Sequence, residues 1–566
     1  MVLFCSRPGR FCKQKRSPCS CAAYPVLFWI MEIISPRGIQ GHLAMVLHAH
    51  LPFTRCPEYE HCLEETWLYE AITESYIPLL TTFEDLLNDG VDFRITVSLS
   101  PTLLAMLNDS LLRARYAAYL DRLIDLSADE IVRTRADIHL SPLSLMYHSL
   151  LLKVRHLYND VYRRDLGAAF NALAASGRVE LITSTATHAY LPALLSEPAS
   201  VRAQLVTGTD YFTAVFGSRP QGLWLPECGF APEIDRQLRD AGVSFFFLES
   251  HGLLNPVPSG EKSIYAPART PSGAVAFARD VDSSRQVWSS AGGYPGDFDY
   301  RDFYRDIGFD LEFDRLREYL PHGVRTFTGL KYYKITGATN LKQPYLPQKA
   351  AAKAEAHADD FLKKKEAQAA ALRRIMKVRP CITAAYDAEL FGHWWFEGPQ
   401  WLRAFLTRAS SDSAMVKLIT PSAYIAENPG IETVMPSMSS WGEKGYSATW
   451  IDSSNDWIYR HITHASRLMA DLASQHRNAS GLLRRALNQA SRELLLSQSS
   501  DWAFMMKTGH SAEFARNRFI EHTENFLGLS RGIADGEVRP ELLHRLEDKN
   551  SLFPDIDFRV FGRGTG

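Results

Sequence analysis

The run Gly222-Leu-Trp-Leu-Pro-Glu227-Cys-Gly-Phe230 is short and apolar, ends in a carboxylate and then turns. A parallel strand that carries an acidic side chain to the rim of a barrel has this pattern. A second run of the same form, Cys381-Ile-Thr-Ala-Ala-Tyr-Asp387, also ends in an acid, and the aromatic cluster Phe391-Gly-His-Trp-Trp-Phe396 follows it. Two acids at strand ends with aromatic side chains nearby are what the cleavage of sugar bonds requires.

Apolar runs of strand length recur along the chain and alternate with helix-like segments. Seven runs have this character: Leu43–Leu47, Phe93–Leu99, Val179–Thr183, Gly222–Leu225, Val243–Leu248, Cys381–Ala385 and Val416–Ile419. Between them lie segments with apolar residues at three- and four-residue spacing, such as Leu111–Leu126 and Ala231–Ala241. This alternation predicts an α/β fold with a parallel sheet and right-handed crossovers. Seven strands favour a barrel, complete or incomplete, over an open doubly wound sheet.

Two segments interrupt this alternation. Residues 255–310 are rich in Gly, Pro, Ser and Asp and predict long loops over the barrel mouth. The Ala-rich segment Ala350–Met376 predicts a helix with a solvated charged face. Beyond Ile431 the patterns are helical, at Trp457–Ala473, Gly481–Gln498 and Ala512–Gly528. The predicted units are a leader, 1–40; a catalytic barrel, 41–430, with insertions at about 250–310 and 331–378; and a helical domain that completes the cleft, 431–560.

The leader has some features of a secretory signal. Basic residues between positions 7 and 16 precede the apolar run Cys21–Met31. Glu32 directly after this run, Pro25 within it and the lack of a small-x-small cleavage pattern oppose a signal. A disordered leader, or a reading frame extended upstream of a true start at Met31, is therefore favoured. No other run reaches transmembrane length, so the protein is not expected to span a membrane.

Composition restricts the partner and the compartment. The 62 basic and 64 acidic residues give a net charge of -2, so no global field attracts nucleic acid or an anionic membrane. A neutral partner is expected. The eight cysteines are Cys5, Cys12, Cys19, Cys21, Cys56, Cys62, Cys228 and Cys381, and the four outside the leader are scattered. This argues against a disulfide framework and for a reducing, cytoplasmic compartment.

Histidines form the first candidate constellation. His48 and His50 lie at i and i+2 at a strand end, so their side chains point to one side. A metal would need a third ligand, and His188 also follows a strand. Three interpretations stay open from spacing alone: metal ligands, hydrogen-bond partners of a substrate, and structural histidines.

Glu227 and Asp387 form the second constellation. A buried carboxylate is costly unless it is paired, so a single acid at a strand end is often structural. Two acids at strand ends of one barrel can perform retaining glycoside chemistry, in which one attacks the anomeric carbon and the other transfers protons. Glu389, two residues beyond Asp387, competes for the second role. Motif order alone leaves both candidates open.

Four blocks in order resemble the motifs of glycoside hydrolase family 57, and especially of its 1,4-α-glucan branching members. They are His48-Ala-His-Leu-Pro-Phe53, Trp224-Leu-Pro-Glu-Cys228, Tyr386-Asp-Ala-Glu-Leu-Phe-Gly-His-Trp-Trp395 and Ser439-Ser-Trp-Gly-Glu443. The resemblance runs from about His42 to the C-terminal helices. It implies an incomplete (β/α)7 barrel and a retaining mechanism without metal or cofactor. Glu227 is then the nucleophile, Asp387 the general acid/base and Glu389 a supporting residue, while His48, His50 and His188 bind substrate.

The resemblance also implies an α-glucan, amylose-like or glycogen-like, as the partner. Trp67, Trp288, Trp394 and Trp441 would line the glucan groove, and the helical domain would contribute Asp501 with Trp502. For each of these tryptophans the alternative to lining the groove is packing in the hydrophobic core. A monomer is favoured, although the sequence does not test the oligomeric state.

One segment departs from the branching members that the chain resembles. Those carry a mobile loop after the strand that corresponds to Val243–Leu248, with a tyrosine near the tip that screens the intermediate from water. Here the segment Leu253–Tyr265 has one tyrosine, Tyr265, at its far end, where it is predicted to begin the next strand. An α-amylase or a 4-α-glucanotransferase with the same catalytic pair is therefore the main alternative. A glucan-binding scaffold with a dead site and a metal-dependent deacetylase built on His48 and His50 are weaker ones.

Overall fold

The structure is a computed structural model that describes residues 38–260, 263–289, 292–320, 323–376 and 378–563. Residues 1–37 of the predicted leader, with its four cysteines, lie outside the described residues. Nine strands form one sheet: β1 Gly41–Ala49, β2 Ile95–Leu99, β3 Val179–Ser184, β4 Gly222–Trp224, β5 Phe245–Leu248, β6 Ala268–Arg269, β7 Val275–Ala278, β8 Cys381–Asp387 and β9 Val416–Leu418.

Seven strands run parallel in a ring, in the order β1-β2-β3-β4-β5-β7-β8 and back to β1. The closure between β7 and β8 consists of one bridge, Arg279 to Thr383, because the antiparallel β6 occupies part of the β7 edge. The predicted incomplete (β/α)7 barrel is thus confirmed.

The membership of the ring differs from the prediction at one strand. All seven predicted runs are strands, but Val416–Leu418 pairs with the first residues of β1 and lies outside the ring. The remaining ring strand is β7, inside the segment 255–310 that was predicted to be loop. It was missed because its four residues closely follow Pro271, Ser272 and Gly273, which are typical of turns and loops.

Helices surround the ring and form the C-terminal part of the chain. Their bounds are α1 Thr66–Ala71, α2 Ile77–Asn88, α3 Pro101–Asn108, α4 Ser110–Thr134, α5 Ser141–His156, α6 Leu166–Ala175, α7 Pro198–Phe216, α8 Asp235–Asp240, α9 Ser250–Leu254, α10 Val281–Trp288, α11 Ile307–Asp310, α12 Phe313–Leu316, α13 Pro347–Met376, α14 Gly398–Ala409, α15 Pro421–Glu427, α16 Trp457–Gln475, α17 Gly481–Ser497, α18 Ser500–Thr508, α19 Ala512–Ala534 and α20 Pro540–Lys549. In the described part of the chain, no helix is long and apolar enough to cross a membrane.

The ring strands are covered on both faces, which explains their continuous apolar sequences. Every residue of β1 and of β8 is buried, as is usual for parallel strands between layers of other structure. Trp224, Phe245, Phe247 and Phe277 contribute to a buried cluster with residues of β1 and β8. The barrel interior is therefore packed, and space for a ligand must lie at the rim.

The C-terminal helices dock onto the rim where the strands end. Ala189, after β3, pairs with Ser499 in an antiparallel bridge, and the Ser500 amide donates to the His188 carbonyl at 3.0 Å. The side chain of Gln204 donates to Gln498 at 3.0 Å beneath this contact. These bonds fix the N-terminus of α18 above the carboxyl ends of β3 and β4.

Candidate active site

Glu227 lies just beyond β4, in the turn Pro226–Cys228. Glu227 and Cys228 both adopt left-handed backbone conformations, with φ of 62° and 49°. Such conformations cost free energy in residues other than glycine and occur often at functional sites. The turn aims the carboxylate across the rim, where Ser500 donates a hydrogen bond to Oε1 at 2.8 Å and the Trp441 indole donates one to Oε2 at 2.6 Å.

The environment of Glu227 combines burial with hydrogen bonding. Burial raises the pKa of Glu227 to about 7, although the bonds from Trp441 and Ser500 favour the ionised form. The Trp441 amide also donates to the Glu227 carbonyl, at 3.0 Å. Trp441 therefore holds both the backbone and the side chain of Glu227, and the carboxylate is oriented before any substrate arrives.

Asp387 is the last residue of β8 and lies opposite His48 in the β1–β8 register. It lines a cavity at the same rim, together with Glu389. Glu389 accepts a hydrogen bond from the His50 amide at 3.1 Å and one from the Tyr76 hydroxyl at 2.5 Å. Burial, and then the charge of Asp387, raise the pKa of Glu389 to about 7. The carboxylate of Glu389 is thus tied to the scaffold on two sides.

A chain of hydrogen bonds connects the histidines with Glu227. His48 contacts the Ser98 hydroxyl at 3.1 Å through Nδ1 and His188 at 3.0 Å through Nε2, while Nδ1 of His188 contacts Ser500 at 3.0 Å. Burial lowers the pKa of His48 and of His188 well below 6.5. For neutral rings one proton order satisfies the chain: Ser98 donates to His48, which donates to His188, which donates to Ser500, which donates to Glu227.

His50 lies between this chain of hydrogen bonds and the cavity that Asp387 lines. Its Nδ1 contacts the Ser100 hydroxyl at 2.9 Å and its Nε2 contacts Asp501 at 3.1 Å. Its ring stacks on His188, with centroids 3.7 Å apart. Burial opposes ionisation of Asp501, but the charge and hydrogen bond of His50 outweigh burial and hold the pKa of Asp501 well below its usual range. Asp501 also accepts a hydrogen bond from Ser499 at 2.6 Å.

The cavity at the rim is named here the catalytic cavity, and its empty space, counted together with the open solvent at its mouth, is about 500 Å³. Its lining residues are His50, Leu51, Trp67, Glu70, Ala71, Trp288, Asp387, Glu389, His393 and Trp394. Trp67 meets Phe514 edge to face, and Trp394 stacks on Phe303 with ring centroids 4.3 Å apart. Large aromatic faces beside carboxylates suit a ligand with both apolar faces and hydroxyl groups.

The structure brings the ten predicted site residues together in two connected groups. Five line the catalytic cavity: His50, Trp67, Trp288, Asp387 and Trp394. The others surround them through hydrogen bonds: Glu227, Trp441, His188, His48 and Asp501. Trp502, predicted to contribute to the cleft, is fully buried and donates its indole N–H to the Leu496 carbonyl at 2.7 Å, so it is a packing residue.

Among the residues that the structure describes, two groups of side chains have the donor atoms to hold a metal ion. His50, His188 and Asp501 offer ligand atoms within 4.8 Å of one another, and Cys56, Cys62 and Glu65 do the same in the loop after β1. In the first group both ring nitrogens of each histidine already make protein hydrogen bonds. In the second, Glu65 is engaged by Arg115, with Nη1 at 2.7 Å from one oxygen and 2.9 Å from the other.

Sequence reasoning missed three residues of the site: Ser500, Tyr76 and Arg279. Ser500 directly precedes the predicted Asp501, so the position of Asp501 in the sequence could have pointed to it. Arg279 follows the unpredicted strand β7, pairs with Glu249 at 2.8 Å and lies 4.8 Å from the centre of the Trp441 ring. Burial opposes the charge of Arg279, but Glu249 and Asp387 are among the groups that raise its pKa. Arg279 is therefore a buried cation that pairs with Glu249 and interacts electrostatically with Asp387.

The segment after β5 packs against the chain around Met435. Val257 pairs with Met435 through two backbone hydrogen bonds of 2.9 and 2.8 Å. Tyr265 was predicted to begin the next strand but ends a short helical turn, Ser263–Tyr265, before β6 begins at Ala268. Its half-buried ring packs against the core, and its hydroxyl contacts Gln368 on α13. The only tyrosine of this segment thus points toward α13.

Comparison with known proteins agrees with this geometry. The family model described as glycosyl hydrolase family 57 matches residues 44–436. A second model, described as the C-terminal region of 1,4-alpha-glucan branching enzyme, matches residues 461–561. The chain is 32% identical to a 1,4-alpha-glucan branching enzyme of Thermococcus kodakarensis over 554 residues, which cover 92% of this chain and 78% of that one.

Solved structures are similar over nearly the whole chain. The alpha-amylase AmyC of Thermotoga maritima is 40% identical with a TM-score of 0.87, covering 93% of this chain and all of that one (100%). A branching enzyme of family 57 type from Pyrococcus horikoshii is 30% identical with a TM-score of 0.83, covering 93% and 97%. Since the family model spans more than half of the sequence and the motifs meet at one rim, the chain belongs to glycoside hydrolase family 57.

Proposed function

We propose that this protein is a 1,4-α-glucan branching enzyme that cleaves an α-1,4 bond and transfers the released chain to a 6-hydroxyl. One observation carries the proposal: Ser500, in the C-terminal region that matches the branching-enzyme model, donates a hydrogen bond to Glu227 in the barrel at 2.8 Å. The helical region thereby supplies part of the site, so a barrel without it would leave Glu227 incompletely held.

In the first step Glu227 is the nucleophile. Its ionised carboxylate attacks the anomeric carbon and forms a glycosyl ester, while the carboxyl group of Asp387 gives its proton to the departing glucan oxygen. The bonds from Trp441 and Ser500 fix the carboxylate without neutralising it. The fragment with the new 4-hydroxyl then leaves, and Asp387 is left as a carboxylate.

In the second step Asp387 is the general base. It takes the proton of an acceptor hydroxyl, whose oxygen attacks the anomeric carbon and releases Glu227 as a carboxylate. The indoles of Trp67, Trp288 and Trp394 in the catalytic cavity offer flat apolar faces to pyranose rings and displace water from the site. A sugar 6-hydroxyl as acceptor gives branching, and water gives hydrolysis.

The histidines divide between two roles in this proposal. His50 lines the catalytic cavity and is assigned to substrate binding, with Asp501 orienting its ring. His48 and His188 lie behind it, and we assign them to positioning Glu227 through Ser500. Glu389, bonded to Tyr76 and to the His50 amide, supports the cavity wall in which Asp387 acts.

The second candidate function is an α-amylase with the same catalytic pair. It is favoured by the 40% identity with the alpha-amylase AmyC and by the position of Tyr265, which faces α13. In that case water accepts the glucosyl group in the second step. A 4-α-glucanotransferase would use a 4-hydroxyl and would likewise create no branch.

Incubation with amylose separates these functions. Branching lowers the iodine absorbance and creates α-1,6 linkages, which proton NMR and debranching followed by chain-length analysis detect. An increase in reducing ends equal to the number of bonds cleaved, without α-1,6 linkages, would overturn the branching proposal in favour of amylase. A change in chain lengths with neither new reducing ends nor branches would indicate the glucanotransferase.

The natural substrate in this proposal is an amylose-like or glycogen-like α-glucan, in a glycogen-building pathway of the cytoplasm. The four described cysteines are free, which is consistent with a reducing compartment. A monomer is proposed because one chain supplies both carboxylates, the histidines and the indoles of the site. Size-exclusion chromatography with light scattering checks the oligomeric state.

A further inference from the structure

A second, larger cavity opens beside the catalytic cavity and shares the walls Trp288 and Trp394 with it. It is named here the outer cleft, and its empty space, counted together with the open solvent at its mouth, is about 1270 Å³. Its other principal lining residues are Asp302, Phe303, Tyr304 and Lys342. A ligand that extends past the two shared indoles would pass directly from one cavity into the other.

Aromatic rings form a continuous series from the shared wall outward. Trp394 stacks on Phe303 at 4.3 Å, with the ring planes at 26°. Phe303 meets Tyr304 edge to face at 5.3 Å. The ring of Tyr304 ends the series with 60% of its surface exposed, an unusual fraction for a large aromatic side chain. The series thus runs from the catalytic cavity to solvent.

The charged side chains that line the outer cleft have partners of opposite charge before any ligand binds. Arg301 lies 3.7 Å from Glu74, and Arg305 lies 2.8 Å from Asp310. Lys342 Nζ lies 2.9 Å from Asp302 Oδ2, and the side chains are 12% and 9% exposed. The other oxygen of Asp302 accepts the Tyr304 amide at 3.0 Å. A neutralised pair does not select an anion or a cation, but its remaining donors and acceptors can bond hydroxyl groups. Aromatic faces beside such a pair suit a neutral polyol chain.

We propose that the outer cleft binds the part of a linear α-glucan chain that extends beyond the catalytic cavity, with Tyr304 as the outermost stacking platform. The substrate class in this inference rests on the proposed function. Short oligosaccharides fill the catalytic cavity alone, and longer ones gain the contacts of Tyr304 and of the Asp302–Lys342 pair. The cleft therefore makes the enzyme select long chains.

Binding to an inactive enzyme tests this inference without depending on the reaction product. Calorimetry on Glu227→Gln gives the Kd of maltooligosaccharides of increasing length, and Glu227→Gln/Tyr304→Ala is compared with it. The loss of one stacking ring weakens binding about 3- to 10-fold. We expect this loss for long chains and an unchanged Kd for maltose and maltotriose.

Tyr59→Ala in the same background is the matched control, because Tyr59 is equally exposed, at 61%, and does not line the outer cleft. Lys342→Met, which leaves Asp302 unneutralised, is expected to show the same length-dependent loss. Equal affinity of the Tyr304 variant and its parent for every chain length would overturn the inference, as would an equal loss for short and long chains. Absence of α-1,6 products would contradict branching and leave this binding result unaffected.

Discussion

Ser500 donates its hydroxyl proton to Glu227 across 273 positions of sequence, at 2.8 Å. The Ser500 hydroxyl also hydrogen-bonds Nδ1 of His188, which is the last ring in the chain of hydrogen bonds from Ser98. A helix of the C-terminal region therefore helps to keep a buried carboxylate of the barrel ionised, against the effect of burial.

Ser500→Ala removes one of the two side-chain donors to Glu227 and makes its anion less stable, so the pKa of Glu227 rises above about 7. Because a nucleophile must be ionised, the acidic limb of the pH profile of kcat/KM should move to higher pH. Trp441→Phe should move it in the same direction. Ser500→Thr, which keeps the hydroxyl, is the control. An acidic limb at the same pH in all four proteins would refute the role of these donors.

The pKa of Glu389 is also raised to about 7, so a second variant is needed to decide whether Glu227 or Glu389 causes the acidic limb of the pH profile. Glu389→Gln keeps the size of the side chain and removes its titration. If Glu227 is responsible for the acidic limb, the limb persists in Glu389→Gln at reduced activity, since the bonds with Tyr76 and the His50 amide are altered. Disappearance of the limb would assign it to Glu389.

Glu227→Gln should abolish turnover and at the same time stabilise the folded protein at neutral and higher pH. The folded-state pKa of Glu227 is raised from 4.5 to about 7, so the wild type loses stability as pH rises through this window. Above pH 7 the wild type has lost the whole of this contribution to its free energy of unfolding, which is about 3 kcal/mol at 1.36 kcal/mol for each unit of pKa. Thermal unfolding at pH 5 and pH 8.5 measures it. A Tm difference that is the same at both values would contradict this assignment.

Asp501→Ala should destabilise the protein and reduce its activity, because His50 loses its buried partner. Removing a hydrogen bond to a charged buried group costs about 1–3 kcal/mol. Asp501→Asn keeps an acceptor and should lose less of both properties. Thermal unfolding and KM for amylose are the two measurements, and an unchanged KM in Asp501→Ala would show that His50 does not depend on this carboxylate.

Prolonged dialysis against a chelator should leave activity unchanged in this mechanism, because both reacting groups are carboxyls and no step involves a metal. Activity assays and metal analysis of the same samples check this. Loss of activity that returns with added Zn²⁺ would instead support a metal held by His50, His188 and Asp501. That outcome would reopen the deacetylase interpretation.

Local pattern was sufficient for most of the fold and for the two acids. All nine residues of β1 and all seven of β8 are buried and most of them are apolar, as expected of parallel strands covered on both faces. Short β7 resembles turn sequence, so Arg279 at its end was missed as well. The four residues of β7 closely follow Pro271, Ser272 and Gly273, and these turn residues made the short strand look like part of a loop.

The contacts between remote segments could not be predicted from either segment alone. Nothing near Ser500 in the sequence indicates that its partner is Glu227, and the bridge between Ala189 and Ser499 that aligns them arises only on docking. The placement of Tyr265 against α13 likewise depends on packing. Motif resemblance selected the candidate residues, whereas the structure was needed to separate His50 in the cavity wall from His48 and His188, which do not line the cavity.

The docking of α18 onto the barrel has a consequence for synthesis of the protein. A ribosome passes Glu227 273 residues before it reaches Ser500, and it also passes β8, the last strand of the ring, before α18. A nascent chain with a finished barrel therefore still lacks the hydroxyl that bonds Glu227. The hydrogen bonds to Glu227 are therefore complete only near the end of translation, after α18 has folded onto the rim.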